Sequence, residues 1–294
     1  MNKKGFQLRA YMDLARPADY VKNCFVLAPL FFAGDFWHAE KLEPAMVAFC
    51  VFCLLVSGCY AINDVLDAQA DRRHPLKKGR PVASGRIGPG LALTAACLWI
   101  GIGIAISAAI SLDFMMVGGA YLVLQLFYSL IFKHWPICDV LAISLGFILR
   151  VIAGGLAVQV YVSTWLIVCT GLLTIFLAIG KRRCEFTVLK IPTEHRKVFQ
   201  FYSPGMMDMG LIIIGMHVLA TYVAYLCFSE TGPKGPPPGL LLTIPLVAVG
   251  LYRLFTIFRR NCRFRGIVEI IIQDTIIKIL LAVWVCLFYT ALYL

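Results

Sequence analysis

The sequence predicts an all-α, polytopic membrane protein, and three observations carry that prediction. Mean hydropathy is +0.82 and only 15% of the 294 residues are charged, a composition too apolar for a soluble globular domain. The chain also offers about nine runs of roughly twenty apolar residues, the length that crosses a hydrocarbon core of about 30 Å. Finally, the ten-residue alternation of barrel strands is not seen, so the spans are helices.

In chain order the spans fall near 21–37, 43–62, 90–110, 114–132, 139–159, 163–181, 207–228, 239–258 and 271–293. Ahead of the first, Asp13, Arg16 and Asp19 interrupt any apolar core of a cleavable signal, and Phe6 to Leu14 read as a short amphipathic helix on the membrane surface. In the second span Cys50 and Cys53 form a CxxC without His or a second pair, which reads as packing, and the cysteine distribution argues against a disulfide framework. The fifth span places Asp139 and Arg150 eleven residues apart on one helix face, and a charge inside a span is a functional candidate. His217 in the seventh span reads as a hydrogen-bonded packing residue. TGPKGPPPG at 231–239 is a stiff outer turn, and Asp274 with Lys278 is a structural i, i+4 pair.

The net charge of +11 would suit a nucleic-acid partner if it were spread over one face, but it is segregated by side. Lys3, Lys4, Arg9 and Arg16 precede the first span, and Arg72 to Arg86, Lys133, Lys181 to Lys197 and Arg259 to Arg265 follow the even-numbered ones. The opposite loops hold only Lys41 and Lys234. The positive-inside rule then puts the N-terminus in the cytoplasm, as expected for a bacterial inner-membrane protein, with the lipid bilayer and no nucleic acid as partner. The chain reads as one transmembrane catalytic domain over 1–294, with cytoplasmic loops near 63–89 and 181–206 capping its site.

The chemistry concentrates in NDVLDAQADRRHPLKKGRP, residues 63–81. On a helix, Asp64, Asp67 and Asp71 fall at i, i+3, i+7, within an arc of about 60°. Three like charges on one stripe repel unless a cation sits among their oxygens, and carboxylate-only ligation favours Mg²⁺ or Mn²⁺. Pairing of Asp67 and Asp71 with Arg72, Arg73 or Lys77 is the plain alternative. Arg72, Lys77, Lys78 and Arg80 alongside supply phosphate donors, so the stretch offers what a diphosphate leaving group requires.

This pattern, NDxxDxxxDRxHPxKxxRP, resembles the first aspartate motif of the UbiA superfamily of intramembrane prenyltransferases. RPADYVKN at 16–23, YSLIFKHWPICD at 128–139, GFILRVIAGG at 146–155 and GKRRCEF at 180–186 are similar to its decaprenyl-phosphate phosphoribosyltransferase-like branch. The resemblance implies a UbiA-like helical bundle. It also implies catalytic Asp64, Asp67 and Asp71 holding Mg²⁺ together with Asn63. Substrate contacts are expected from Lys22, Asn23, Asn63, Lys77, Arg80, Tyr128, Lys133, Asp139, Arg150, Lys181, Arg182 and Glu185, whereas His74 and His134 only position the chain.

Typical superfamily members carry a second aspartate-rich motif where this chain reads GKRRCEF, with Glu185 its one acid. That departure points to 5-phosphoribosyl diphosphate as donor and a polyprenyl phosphate as acceptor. Two alternatives stand beside it: a prenyltransferase moving an isoprenoid diphosphate onto an aromatic or polar acceptor, and a lipid-phosphate transporter.

Overall fold

The computed structural model describes residues 3–73, 77–188, 200–228, 238–260 and 267–293. Every regular element among them is a helix. The chain divides into two compact units, Met1–Leu130 with Leu149–Tyr161, and Ile131–Ile148 with Val162–Leu294.

The first unit opens with α1 (Lys3–Ala15), whose Ala10 and Leu14 are buried while the apolar Leu8 and Met12 are exposed. A 3₁₀ helix (Pro17–Leu27) and the short α2 (Ala28–Phe32) follow. The long α3 (Ala39–Leu66) comes next, then α4 (Ala68–Arg73), α5 (Pro89–Ile110) and α6 (Leu112–Leu130). Proline at the first position of α5, after Gly88, costs no hydrogen bond and presets φ. The second half of α7 (Cys138–Val158) completes this unit.

Small residues bring these helices together. A Cβ on Gly58 would meet Ile100 at 2.5 Å and one on Gly103 would meet Leu55 at 2.7 Å, so α3 and α5 lie in close contact along a glycine-relieved seam. Val51, Phe52, Leu55, Phe114 and Tyr121 form the core around it.

The second unit contains the first half of α7, then α8 (Thr164–Val188), α9 (Pro204–Phe228), α10 (Pro238–Leu241), α11 (Thr243–Arg260), α12 (Ile267–Gln273) and α13 (Thr275–Tyr293). Phe176 and Phe258 centre its core. Here Gly180 makes room for the Phe258 ring, which a Cβ would meet at 2.2 Å.

Among the described residues seven helices are long and apolar enough to cross a membrane, and Thr275–Ala291 adds a shorter apolar segment. The nine expected spans are therefore not all matched by long helices. The first, 21–37, is the 3₁₀ helix and α2 instead. Pro17 and Pro29 interrupt regular α-helix there, and Asn23 turns into the protein rather than toward lipid.

Two local expectations also change. Asp274 pairs with Arg253 at 2.7 Å, not with Lys278, and its carboxylate accepts from the Ile277 amide at 3.0 Å as an N-cap of α13. Cys184 is disulfide-bonded, with its partner outside the described residues, so the cysteines are not all free thiols as their distribution suggested. Residues 231–237 of the proline-rich turn lie outside the described residues too. His217, by contrast, bonds the Ile213 carbonyl one turn back, as a packing histidine does.

Candidate active site

At 28 residues, α3 is roughly 42 Å long, longer than a hydrocarbon core of about 30 Å. Its last turn carries Asn63 and Asp64. The helix closes at Asp67, whose amide still reaches the Asn63 carbonyl at 2.9 Å while its backbone sits at φ −92°, ψ 1°. The Asp71 amide bonds the Asp67 carbonyl at 2.8 Å, so the chain resumes as α4 after a break. The acidic residues thus straddle two helices rather than lining one.

Two of these carboxylates are buried. Asp64 is 1% and Asp71 3% exposed, whereas Asn63 and Asp67 are half-buried. Arg16 bonds Asp64 Oδ1, and Arg80 reaches Asp71 Oδ2 at 2.6 Å and Asp64 Oδ1 at 3.3 Å. The aspartates are therefore drawn onto guanidinium groups. Arg72, which sequence proximity offers as a partner, turns to the Ala83 carbonyl at 3.2 Å. Among the described residues no three Asp, Glu, His or Cys side chains gather closely enough to hold a metal ion. Asp64 Oδ2, however, is a buried side-chain oxygen with no hydrogen-bond partner among them.

The segment 77–87 keeps Arg80 in place. Val82 and Ile87 are buried, the Ser84 amide bonds the Arg80 carbonyl at 2.9 Å, and Gly85 takes φ 76° where a side chain would strain the turn. Arg86 ties this segment to α1, with Nη1 on Asp13 at 2.6 Å and Nη2 on the Gly79 carbonyl at 2.7 Å. Lys77 is half-buried, and His74 lies outside the described residues.

A second polar group in the same unit is built around Arg150, 4% exposed. Its Nε donates to Asn23 Oδ1 at 2.9 Å and its Nη2 to the Tyr121 hydroxyl at 2.8 Å, with the guanidinium 4.8 Å from the Tyr121 ring centre. Gln125 donates to the same hydroxyl at 2.7 Å, and Asn23 donates to Cys53 Sγ at 3.3 Å. Lys22 pairs with Asp19, and Tyr128 lies half-buried near the end of α6.

The second unit holds the remaining candidates. Arg182, 1% exposed, donates Nε to Asp139 Oδ2 at 2.7 Å and Nη1 to Glu185 Oε2 at 2.8 Å. Asp139 also accepts from the Tyr202 hydroxyl at 3.3 Å, and burial pushes the Tyr202 phenol up. Lys133 and Lys181 are half-buried. Although Asp139 and Arg150 share α7, they serve different units, Asp139 with Arg182 and Arg150 with Asn23 and Tyr121. Arg182 is thus buried against two carboxylates.

Sequence reasoning missed Arg16, Tyr121, Gln125 and Tyr202. Arg16 lies in RPADYVKN, but its charge counted only toward membrane orientation and against a cleavable signal. Its partner is 48 residues away, beyond any local pattern.

Compared with known proteins, the chain matches the UbiA prenyltransferase family over residues 25–265, and it belongs to that family. With seven long apolar helices among the described residues, it is a multi-pass membrane protein. The fold is shared with a solved UbiA homologue from Archaeoglobus fulgidus bound to DMAPP and Mg²⁺. That match has a TM-score of 0.71 at 19% identity, covering 96% of this chain and 98% of that one. The decaprenyl-phosphate phosphoribosyltransferase of Corynebacterium glutamicum is 33% identical over 215 residues, and that of Mycolicibacterium smegmatis 35% over 193. These matches take in 71% and 64% of this chain and span 65% and 61% of the relatives' own length.

Proposed function

We propose that this chain transfers phosphoribose from 5-phosphoribosyl diphosphate to a polyprenyl phosphate, releasing diphosphate. It does so in a bacterial cytoplasmic membrane, with its N-terminus on the cytoplasmic side. The observation that carries the choice of donor is the pairing of Glu185. The one acid of GKRRCEF is bonded to Arg182, which also takes Asp139, so Glu185 is drawn onto a guanidinium rather than standing in the second carboxylate cluster that a prenyl-diphosphate enzyme would offer. The two phosphoribosyltransferase relatives support the same choice.

The cofactor is Mg²⁺, held by Asp64, Asp67, Asp71 and Asn63. These residues present only oxygen donors, and the unpartnered Asp64 Oδ2 is the buried acceptor that a divalent cation would satisfy. Mg²⁺ bound there would neutralise the charge that gathers on the diphosphate as the bond from the anomeric carbon breaks. The bond that forms joins the same carbon to an oxygen of the lipid phosphate. Already an anion, that phosphate attacks without a base to deprotonate it. Arg80 and Lys77 bind the leaving diphosphate, while Lys22, Lys133 and Lys181 are the candidates for the 5-phosphate and the acceptor phosphate. Asn23, Tyr128 and Arg150 are further candidate substrate contacts in the first unit, and Asp139, Arg182 and Glu185 are those in the second.

Purified protein given labelled 5-phosphoribosyl diphosphate, a polyprenyl phosphate and Mg²⁺ should form a lipid-linked phosphoribose. Absence of that product, together with transfer of an isoprenoid diphosphate to an aromatic acceptor, would replace this reading with prenyl transfer.

A further inference from the structure

Arg16 is unusual in three respects. Its backbone lies in the left-handed region at φ 55°, ψ 60°, which a non-glycine residue seldom adopts. Its guanidinium sits 4.7 Å from the centre of the Tyr60 ring, so the ring face supports the charge. And it ends on Asp64, whose side chain is fully buried, while its own side chain keeps 20% of its surface in contact with solvent. The strained residue is fixed from both sides, its amide on the Met12 carbonyl at 3.1 Å and its carbonyl on the Asp19 amide at 2.9 Å.

Asp64 Oδ1 also lies 3.3 Å from Arg80, which reaches on to Asp71 at 2.6 Å. Two positive charges therefore occupy the acidic corner, one brought from before the 3₁₀ helix and one from the 77–87 segment. A divalent cation bound to Asp64 would stand a few ångströms from both, and like charges that close in a largely buried site repel strongly. The guanidinium-paired arrangement and a cation-bound arrangement of Asp64 are alternatives. Among the described residues, Asp64 Oδ2 is the buried side-chain oxygen left without a hydrogen-bond partner.

We propose that Arg16 is a positioning residue that acts by exchange. It holds Asp64 in the arrangement seen here and yields that carboxylate to the divalent cation that accompanies the donor, with Arg80 turning from the aspartates to the diphosphate. The aspartates are thereby kept neutralised and correctly placed without a bound cation, and the cation alone is held weakly. This rests on the reading of Asp64 as a metal ligand.

The test is a titration of the detergent-purified full chain with Mn²⁺ alone, read by electron paramagnetic resonance, and again with inorganic diphosphate. Removing the competing charge in Arg16→Gln should tighten binding of Mn²⁺ alone by about tenfold, and Arg16→Lys should restore weak binding. Tyr60→Leu, which removes the ring beneath Arg16 without touching Asp64, should tighten it by a few-fold and decides the matter if Arg16→Gln does not fold. A merely structural Arg16 gives unchanged or weaker Mn²⁺ binding in these variants, which overturns the exchange but leaves the metal site standing. Failure of the wild-type chain to bind Mn²⁺ even with diphosphate overturns both.

Discussion

Substituting alanine for Gly154 tests how the Arg150 site is held. A Cβ there would lie 1.9 Å from the carbonyl oxygen of Val26 and 2.8 Å from its carbon. A carbon–oxygen contact needs about 3.3 Å, so the backbone of the 3₁₀ helix must retreat by roughly 1.4 Å. No side-chain rotation relieves this, because the clash is with main chain. Arg150 lies one turn before Gly154, and Asn23 lies three residues before Val26. A retreat of that size stretches their 2.9 Å hydrogen bond beyond the range in which it counts as one. Overpacking costs about 1–3 kcal/mol and a lost hydrogen bond to a charged group about 1.5–3 kcal/mol. Alanine's better helix propensity offsets about 1 kcal/mol, leaving a net loss of about 1.5–5 kcal/mol. Thermal unfolding in detergent measures it, with Gly101→Ala as control, since a Cβ at Gly101 meets nothing within 4 Å. Gly154→Ala unfolding at the wild-type temperature, alongside an equally stable control, would refute the close-approach argument.

Other outcomes follow from the same geometry. Asp64→Asn, which keeps the side chain's shape while removing its charge, should lower turnover by at least about a hundredfold, and retained activity would end the metal assignment. Chelation of divalent cations with EDTA should stop lipid-linked product formation and Mg²⁺ restore it; an unaffected rate would take the cation out of the reaction. Arg182→Met strands Asp139 and should destabilise the protein by about 3–5 kcal/mol, part of which adding Asp139→Asn should recover; two fully additive losses would show the pair is not coupled. Tyr121→Phe deprives Arg150 and Gln125 of a shared acceptor and should cost about 1–3 kcal/mol, again read by thermal unfolding.

What could be read from the chain alone was whatever depends on near neighbours. The apolar windows of α3, α5 and α9 announce themselves because each is a continuous run of one character. The acidic residues of α3 and α4 were visible for the same reason, being seven positions apart. The first span is not matched by one long helix, because average hydropathy cannot distinguish a regular helix facing lipid from a segment turning Asn23 inward. Asp274 was assigned to Lys278 because i, i+4 spacing is the only pairing a sequence displays, whereas Arg253 arrives from another helix. Arg16 with Asp64, Arg150 with Asn23 and Arg182 with Asp139 are separated by 48, 127 and 43 residues, and only packing brings them together. The helix break at Asp67 escaped notice too, since nothing in NDVLDAQAD is a glycine or proline.

That break has a consequence for how the donor arrives. The end of a helix as long as α3 carries roughly half a negative elementary charge from its aligned peptide dipoles, and Asp64 and Asp67 add carboxylates at that same end. The backbone itself therefore attracts cations here and repels bare diphosphate, before any arginine or lysine is considered. On the proposed function, a donor reaching this corner would have to bring its neutralising charge with it, and free diphosphate would be a poor competitor for a diphosphate already complexed to its cation.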